Sequence, residues 1–491
     1  MEKYKTRADV PEKYKWDLTS FFKDENEFND VYNKTLEDIK KLNEYQGCTK
    51  DANKLYEYLN LDINTEAIAE NLYIYAYLIN DQELGKKESI ERKNKCENLL
   101  NTYYLNVSFF AEELLSLTKE EYNNLFNINP KLNEFKTNLD DIYKSKDHIL
   151  SEKEENMIST LLNAMNHFED MSSTMLNSLH DYGKVKINGN DEIITSTNYG
   201  LLLKNKDRNI RKEVREKFFK VIDNYAVSNA QFLDSYVKAN LEVSKLHHFK
   251  NAWDNKLFVL DMKEDAYKAL IETVEKNVKS LQRYFKVFRE TLNLDKLYNY
   301  DLNLELAKSN KEYSIEDAWD LTIKALAPLG EEYVKHFKKI IDERHIDYAE
   351  YKGKCSGGYC YSPLNLNPRI LMSYNYDLNS ISTIIHEGGH DVHQQFIMEH
   401  NPLQNRVVSS LVSEVASLTN ECLLSSYLAK NGKDKNEKLS GIANILNVIV
   451  SNLFGAVREG KIETDFYKYV EDGNSITKDY MNDLVRKSLE K

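Results

Sequence analysis

The chain has 491 residues, with 66 Lys and Arg against 79 Asp and Glu, and a formal net charge of −13. That length permits a large buried core and more than one domain, and the acidic balance leaves no basic arm for a phosphate backbone, so nucleic acid is not an expected partner. Six prolines and 16 glycines are few for such a chain and favour long helices over a turn-rich sheet; a mainly α fold is predicted. The five cysteines, Cys48, Cys96, Cys355, Cys360 and Cys422, are an odd set without a disulfide framework and suit a reducing compartment. The start MEKYKTRADVPEKYKWDL lacks the apolar core of a signal peptide, and no stretch comes near eighteen uninterrupted apolar residues. A soluble cytoplasmic protein without a membrane partner is the expectation.

The first predicted helix follows Asp24, a capping residue with Glu27 placed to reciprocate, and carries Phe28, Val31, Tyr32, Leu36, Ile39 and Leu42 at helical spacing. Further helical pattern runs from about 51 to 115, from 119 to about 135, and from 151 to 179. Near 183–196 the period shifts towards alternation and NGND supplies a turn, so a small hairpin is predicted. Helices resume from about 210 to 343. His247 and His248 are adjacent and point in different directions on a helix, which favours packing or surface roles over a metal. Two short strands, roughly Gly358 to Tyr361 and Arg369 to Tyr374, are predicted in the Gly- and Tyr-rich stretch that follows. Cys355 and Cys360 are five apart, not at the spacing of a zinc knuckle, and read as small strand residues. Asp377 can cap a helix ending near Pro402, and another helix begins after Gln404.

The helix after Asp377 contains HEGGHDVH, residues 386–393. His386 and His390 are four apart, so their rings share one helical face and one ion, and Glu387 projects beside them as a base for a metal-activated water. Two imidazoles at this spacing suit zinc. Such a pattern also arises by chance in ordinary helices, but Gly388 and Gly389 would weaken a helix whose only task was structural, and imply close packing or substrate approach. A catalytic zinc needs a third ligand and one open position. Glu414 and Glu421, seven apart on the next helix, are the candidates; Glu414 is favoured because the HNPLQN turn folds that helix back, with Glu421 two turns farther along. His393 makes a three-histidine alternative, but all three histidines on one rigid helix coordinate jointly only with difficulty. His393 and Glu421 are then expected to tune or orient the ligands from behind.

HEGGHDVH together with SLVSEVASLTNE at 410–421 resembles the zinc core of the oligoendopeptidase F branch of the thimet oligopeptidase family. YKWDLTSFF at 14–22 and YKGKCSGGYCYS at 351–362 resemble further segments of that branch. The resemblance implies a two-lobed helical metallopeptidase with a deep central channel and a small β-sheet near the zinc site. It implies one zinc ion held by His386, His390 and Glu414, with Glu387 as general base, and short unfolded peptides as substrates. The segment around Gly358 and Tyr359 resembles a strand that engages the peptide backbone. A division into residues 1–180 and a catalytic region 181–491 is expected.

Members of the branch usually continue with a Tyr-rich, His-containing segment that stabilises the oxyanion, whereas NSITKDYMNDLVRKSLEK, 474–491, offers no match to it. The expectation is therefore a zinc-dependent endopeptidase of short oligopeptides, with two alternatives: a catalytically impaired zinc- and peptide-binding protein, or one part of a peptidase that a complementing polypeptide completes. Cleavage preference and oligomeric state are not legible in the sequence.

Overall fold

The computed structural model describes residues 4–490 apart from scattered positions between 152 and 179, residue 197, residues 305–310 and residue 356. Two compact units emerge, each built from separated parts of the chain: Met1–Lys146 with Asn310–Lys430, and Asp147–Ser309 with Asn431–Lys491.

The first unit opens with α1 (Glu25–Asn43), α2 (Ala52–Gln82), α3 (Lys87–Val107), α4 (Phe109–Ser116), α5 (Lys119–Ile128) and α6 (Lys136–Lys144). Asp24 caps α1 by accepting from the N–H groups of Asn26 and Glu27. The Glu27 carboxylate turns back to Lys23 N–H, at 2.6 Å, and not to the cap residue itself. Phe28, Tyr32, Ile39 and Leu42 then face a core shared with Leu55, Tyr58 and Leu72 of α2 and Leu99 of α3. The long helical pattern of 51–115 is thus three helices, because each can bury only one apolar stripe against its neighbours.

The second unit holds β1 (Lys184–Ile187) and β2 (Asn190–Ile193), followed by α7 (Arg208–Asp223), α8 (Ala226–Leu246), α9 (Ala252–Val259), α10 (Glu264–Lys276) and α11 (Val278–Thr291). The hairpin falls where the sequence places it, and Asn188 and Gly189 take the positive φ values, 53° and 86°, that a tight two-residue turn requires. The helix expected over 151–179 lies largely outside the described residues.

The chain re-enters the first unit with α12 (Ile315–Leu326), α13 (Glu331–Asp342), β3 (Ile346–Asp347), β4 (Tyr359–Tyr361), β5 (Arg369–Leu371), α14 (Leu378–His400) and α15 (Ser410–Asn431). The sheet order is β3-β5-β4, with β3 parallel and β4 antiparallel to β5. The sequence reading found the last two strands and missed β3, which is only two residues long. Buried Lys354 ties the sheet to its loop: Nζ donates to the carbonyls of Asp347, Ala349 and Met372 at 2.8–3.0 Å and pairs with Asp347 Oδ1 at 2.7 Å. Ile381, Ile384, Ile385 and Val392 bury one side of α14 against Phe337, Ile340, Ile370 and Leu424.

The second unit ends with α16 (Lys435–Ile449), a π-helical turn at Val450–Gly455, α17 (Ala456–Glu471) and α18 (Lys478–Glu490). The span Lys435–Glu471 is long and apolar enough by length and composition to cross a membrane, with a mean hydropathy of 1.5 in its most apolar 18-residue window. A reading that sought unbroken apolar residues passes over it, because serines and asparagines interrupt it without adding charge.

Candidate active site

Helix α14 begins at its cap, where Asp377 accepts from Ser380 N–H, and stops at His400, two residues before Pro402. His386 and His390 therefore stand one turn apart, with ring centroids 5.0 Å from each other. Helix α15 carries Glu414 to them: its Oε2 lies 3.5 Å from His386 Nε2 and 3.7 Å from His390 Nε2. One ligand atom from each of these residues lies within 4.8 Å of the others, and no other such group of His, Cys, Asp or Glu occurs among the described residues. Tetrahedral zinc with bonds of about 2.0–2.1 Å separates neighbouring ligand atoms by roughly 3.3 Å, so these side chains fit the ion with small shifts.

The two glycines of the motif explain how α14 is approached so closely. A Cβ at Gly388 would sit 2.5 Å from Phe337 Cζ of α13, and one at Gly389 would sit 2.8 Å from Ser417 Cα of α15. Both therefore serve helix packing. Asn420 Nδ2 completes the junction by donating to the Ile385 carbonyl at 3.0 Å, and Tyr333 donates to Asn420 Oδ1.

Hydrogen bonds orient these side chains. His386 Nδ1 donates to Glu421 Oε1 at 2.7 Å, leaving Nε2 for a metal, and Ser382 Oγ donates to Glu421 Oε2. Ser417 Oγ donates to Glu414 Oε2 at 2.7 Å. The backbone of Ser413 holds the His390 ring. His393, a further turn along α14, stands outside the converging group.

Burial draws the His386 imidazole down, but its bond to Glu421 and the charges of Glu387, Glu421 and Glu414 outweigh it and leave the ring above its ordinary value. Burial lowers His390 despite the Glu414 charge, and lowers His393. Burial pushes the Glu387 carboxyl up, partly offset by His386. A carboxylate raised in this way is a stronger base once ionised.

Strand β4 lies at the edge of its sheet, paired on one side with β5. Just before it, the position of a Cβ on Gly358 is 3.9 Å from Glu387 Oε1 and 3.1 Å from Thr383 Cγ2. The Tyr359 side chain points elsewhere: its hydroxyl donates to Asp81 Oδ2 at 2.7 Å. The ring is thereby tied to α2, and what Tyr359 leaves at the strand edge is its backbone.

Sequence reasoning missed what holds the far side of α14. Asp391, fully buried next to His390, accepts from His345 Nδ1 and Gln395 Nε2, both at 2.7 Å. Gln395 shares its helical face and was a findable signal, whereas His345 arrives only through the tertiary fold. His247 accounts for itself as a helix-end residue, with Nδ1 on the Val243 carbonyl and Nε2 against Glu155, and neither it nor His248 joins a metal group among the described residues.

With this geometry in hand, comparison with known proteins identifies the lineage. The model of "Peptidase family M3" matches residues 201–491, and that of "Oligopeptidase F" matches 113–179. The chain belongs to peptidase family M3. This M3 chain is 28% identical to oligopeptidase PepF of Bacillus subtilis over 481 residues, spanning 97% of the chain and 72% of that protein. It is 26% identical to the group B oligopeptidase PepB of Streptococcus agalactiae over 487 residues, 99% of the chain and 81% of the relative. Its fold matches a crystal structure from Chlamydophila abortus assigned as a peptidase with a TM-score of 0.86, at 23% identity over 99% of this chain and 82% of that one. It matches oligoendopeptidase-F from Enterococcus faecium with a TM-score of 0.66, at 22% identity over 95% and 79%. The protein is a metallopeptidase with peptidase activity on oligopeptides, and the mainly helical fold with small sheets expected from the sequence is the one observed.

Proposed function

We propose that the chain is a zinc-dependent endopeptidase that hydrolyses internal bonds of short, unfolded oligopeptides. One observation carries the reading: His386 Nε2, His390 Nε2 and Glu414 Oε2 face one another beside the raised carboxyl of Glu387. A zinc ion held by those three side chains supplies Lewis acidity, lowering the pKa of a water and polarising a peptide carbonyl. Glu387 takes the proton of the attacking water and returns it to the leaving amine. The peptide lies extended along the open edge of β4, whose start at Gly358 stands next to Glu387, where a Cβ would be 3.9 Å from Oε1. Glu421 keeps the His386 ring oriented, with Nε2 turned towards Glu414. Cytoplasmic action is in keeping with five free cysteines.

The deciding experiment compares the parent with Glu387→Gln on quenched-fluorescence peptides, with bound zinc measured in both. The variant should keep its zinc and lose about 10²–10⁴ in turnover. Equal cleavage by both proteins, or zinc content unaffected by His390→Ala, would sink the assignment.

A further inference from the structure

The second unit contains a cavity of about 410 Å³, a volume within the range of small-molecule sites. Val274 of α10, Leu281 of α11, Phe454 of the π-helical turn, Ile462 of α17 and Leu484 of α18 give it apolar walls. A π-helical turn is a helix defect that recurs at functional sites, and this one supplies Phe454.

Along α17, Arg458, Ile462, Phe466 and Val470 recur four apart, and the last three pack in a core with Val237 and Leu241. An arginine thus heads a row that is otherwise core, and it lines the cavity. Its Nε is buried without a hydrogen-bond partner, and among the described residues the guanidinium forms no ion pair. A buried donor left in that condition costs free energy until something accepts from it. Lys487, exposed on α18, brings a second cation to the lining and forms no ion pair among the described residues either. Of the two acids there, Asp465 is paired with Lys461 at 3.4 Å and Glu275 has an interaction of its own.

Such a lining accepts an anionic head on an apolar body, and the walls decide the kind of body. A peptide brings N–H and carbonyl groups that need partners wherever they are buried, and the only neutral polar side chain of the lining is Ser488. A hydrocarbon chain needs none. We infer that the cavity binds a free medium-chain carboxylate, its chain against the apolar walls and its head on Arg458, with Lys487 adding attraction. A guanidinium donates two parallel hydrogen bonds to one carboxylate, and Nε is one of the donors available for that pair. The residues of this site belong to the second unit, whereas His386, His390 and Glu414 belong to the first, so its occupancy is measured without peptide turnover.

The test is isothermal titration calorimetry of the purified full chain with decanoate below its micellar concentration. The expected result is saturable binding at one site per chain. Decyltrimethylammonium, the same chain on a cation, should bind at least about tenfold more weakly, and butyrate, the head without the chain, should give no measurable heat of binding. Arg458→Met should weaken decanoate about 10- to 100-fold with unchanged circular dichroism, as loss of a charged hydrogen-bond partner does. Lys487→Glu, at an exposed position where the fold is not at stake, should weaken it roughly two- to fivefold. Decanoate that does not saturate, or that binds no better than decyltrimethylammonium, would mean adsorption to apolar surface and overturns the inference. Parental affinity in both variants overturns it too, and so does tighter binding of acetyl-dileucine than of decanoate, which would make the cavity a peptide site.

Discussion

Gly389 lies against the backbone of Ser417, so close that a Cβ would come within 2.8 Å of Ser417 Cα. Ser417 in turn donates to Glu414 Oε2 one helical turn away. The glycine therefore sets the distance between α14 and α15, and with it the distance from Glu414 to the two histidines. Gly389→Ala should force the helices apart, at a cost of about 1–3 kcal/mol for overpacking. Zinc affinity, read by competition with a chelator, is expected to fall roughly 5- to 150-fold if that strain falls on the bound state. Parental affinity would show that the helix pair yields without moving Glu414.

Glu421 bonds the face of His386 that points away from the metal position, at 2.7 Å. Removing it with Glu421→Ala leaves Nδ1 without its acceptor and frees the ring to rotate or change tautomer. A loss of about 10- to 100-fold in zinc affinity is expected, with Glu421→Gln losing less because its amide oxygen still accepts. Equal effects of the two substitutions would argue that charge and not orientation is what Glu421 supplies.

Lys354 joins three carbonyls and Asp347 at the base of the sheet, with its side chain only 2% exposed. Lys354→Met takes the ammonium from the Ala349 and Met372 carbonyls and leaves the Asp347 carboxylate with Arg7 alone, at 2.6 Å, and buried acceptors that lose a donor cost about 1–3 kcal/mol. The urea midpoint of unfolding should drop accordingly. Because the loop leading to Gly358 hangs on this ammonium, KM for peptides is expected to rise in the variant at temperatures where it stays folded.

Three acids, Asp62, Glu66 and Glu70, recur four apart along α2, and burial pushes Asp62 and Glu70 up to about 7. A carboxyl raised in the folded state binds more protons there than in the unfolded chain, whose value is about 4. Its stabilising contribution is complete below pH 4 and is lost as pH rises through about 7. Asp62→Asn with Glu70→Gln, which keeps an acceptor for Tyr103 and for Leu364 N–H, should therefore raise the melting temperature above pH 7 and not at pH 4. A difference from the parent that stays constant from pH 4 to 8 would refute it.

Much of the site could be read along the chain because its parts are local. A cap at Asp377, two histidines at the helical repeat, the intervening Glu387 and the stop at Pro402 are all consequences of one helix, and one helix is encoded by its own residues. The hairpin at Asn188 and Gly189 is readable for the same reason, since left-handed backbone needs such residues wherever it occurs. The choice between close packing and substrate approach for Gly388 and Gly389 was not open to sequence, because Phe337 and Ser417 reach them from other helices. The pairing of Asp391 with His345 was likewise hidden, and so was β3, too short for any periodicity. What the sequence determined by itself was the set of chemical groups and their local spacing. Which of them meet, at 3.5 Å in the case of His386 and Glu414, only the tertiary structure decided, because close packing between distant segments sets distances that no single helix contains.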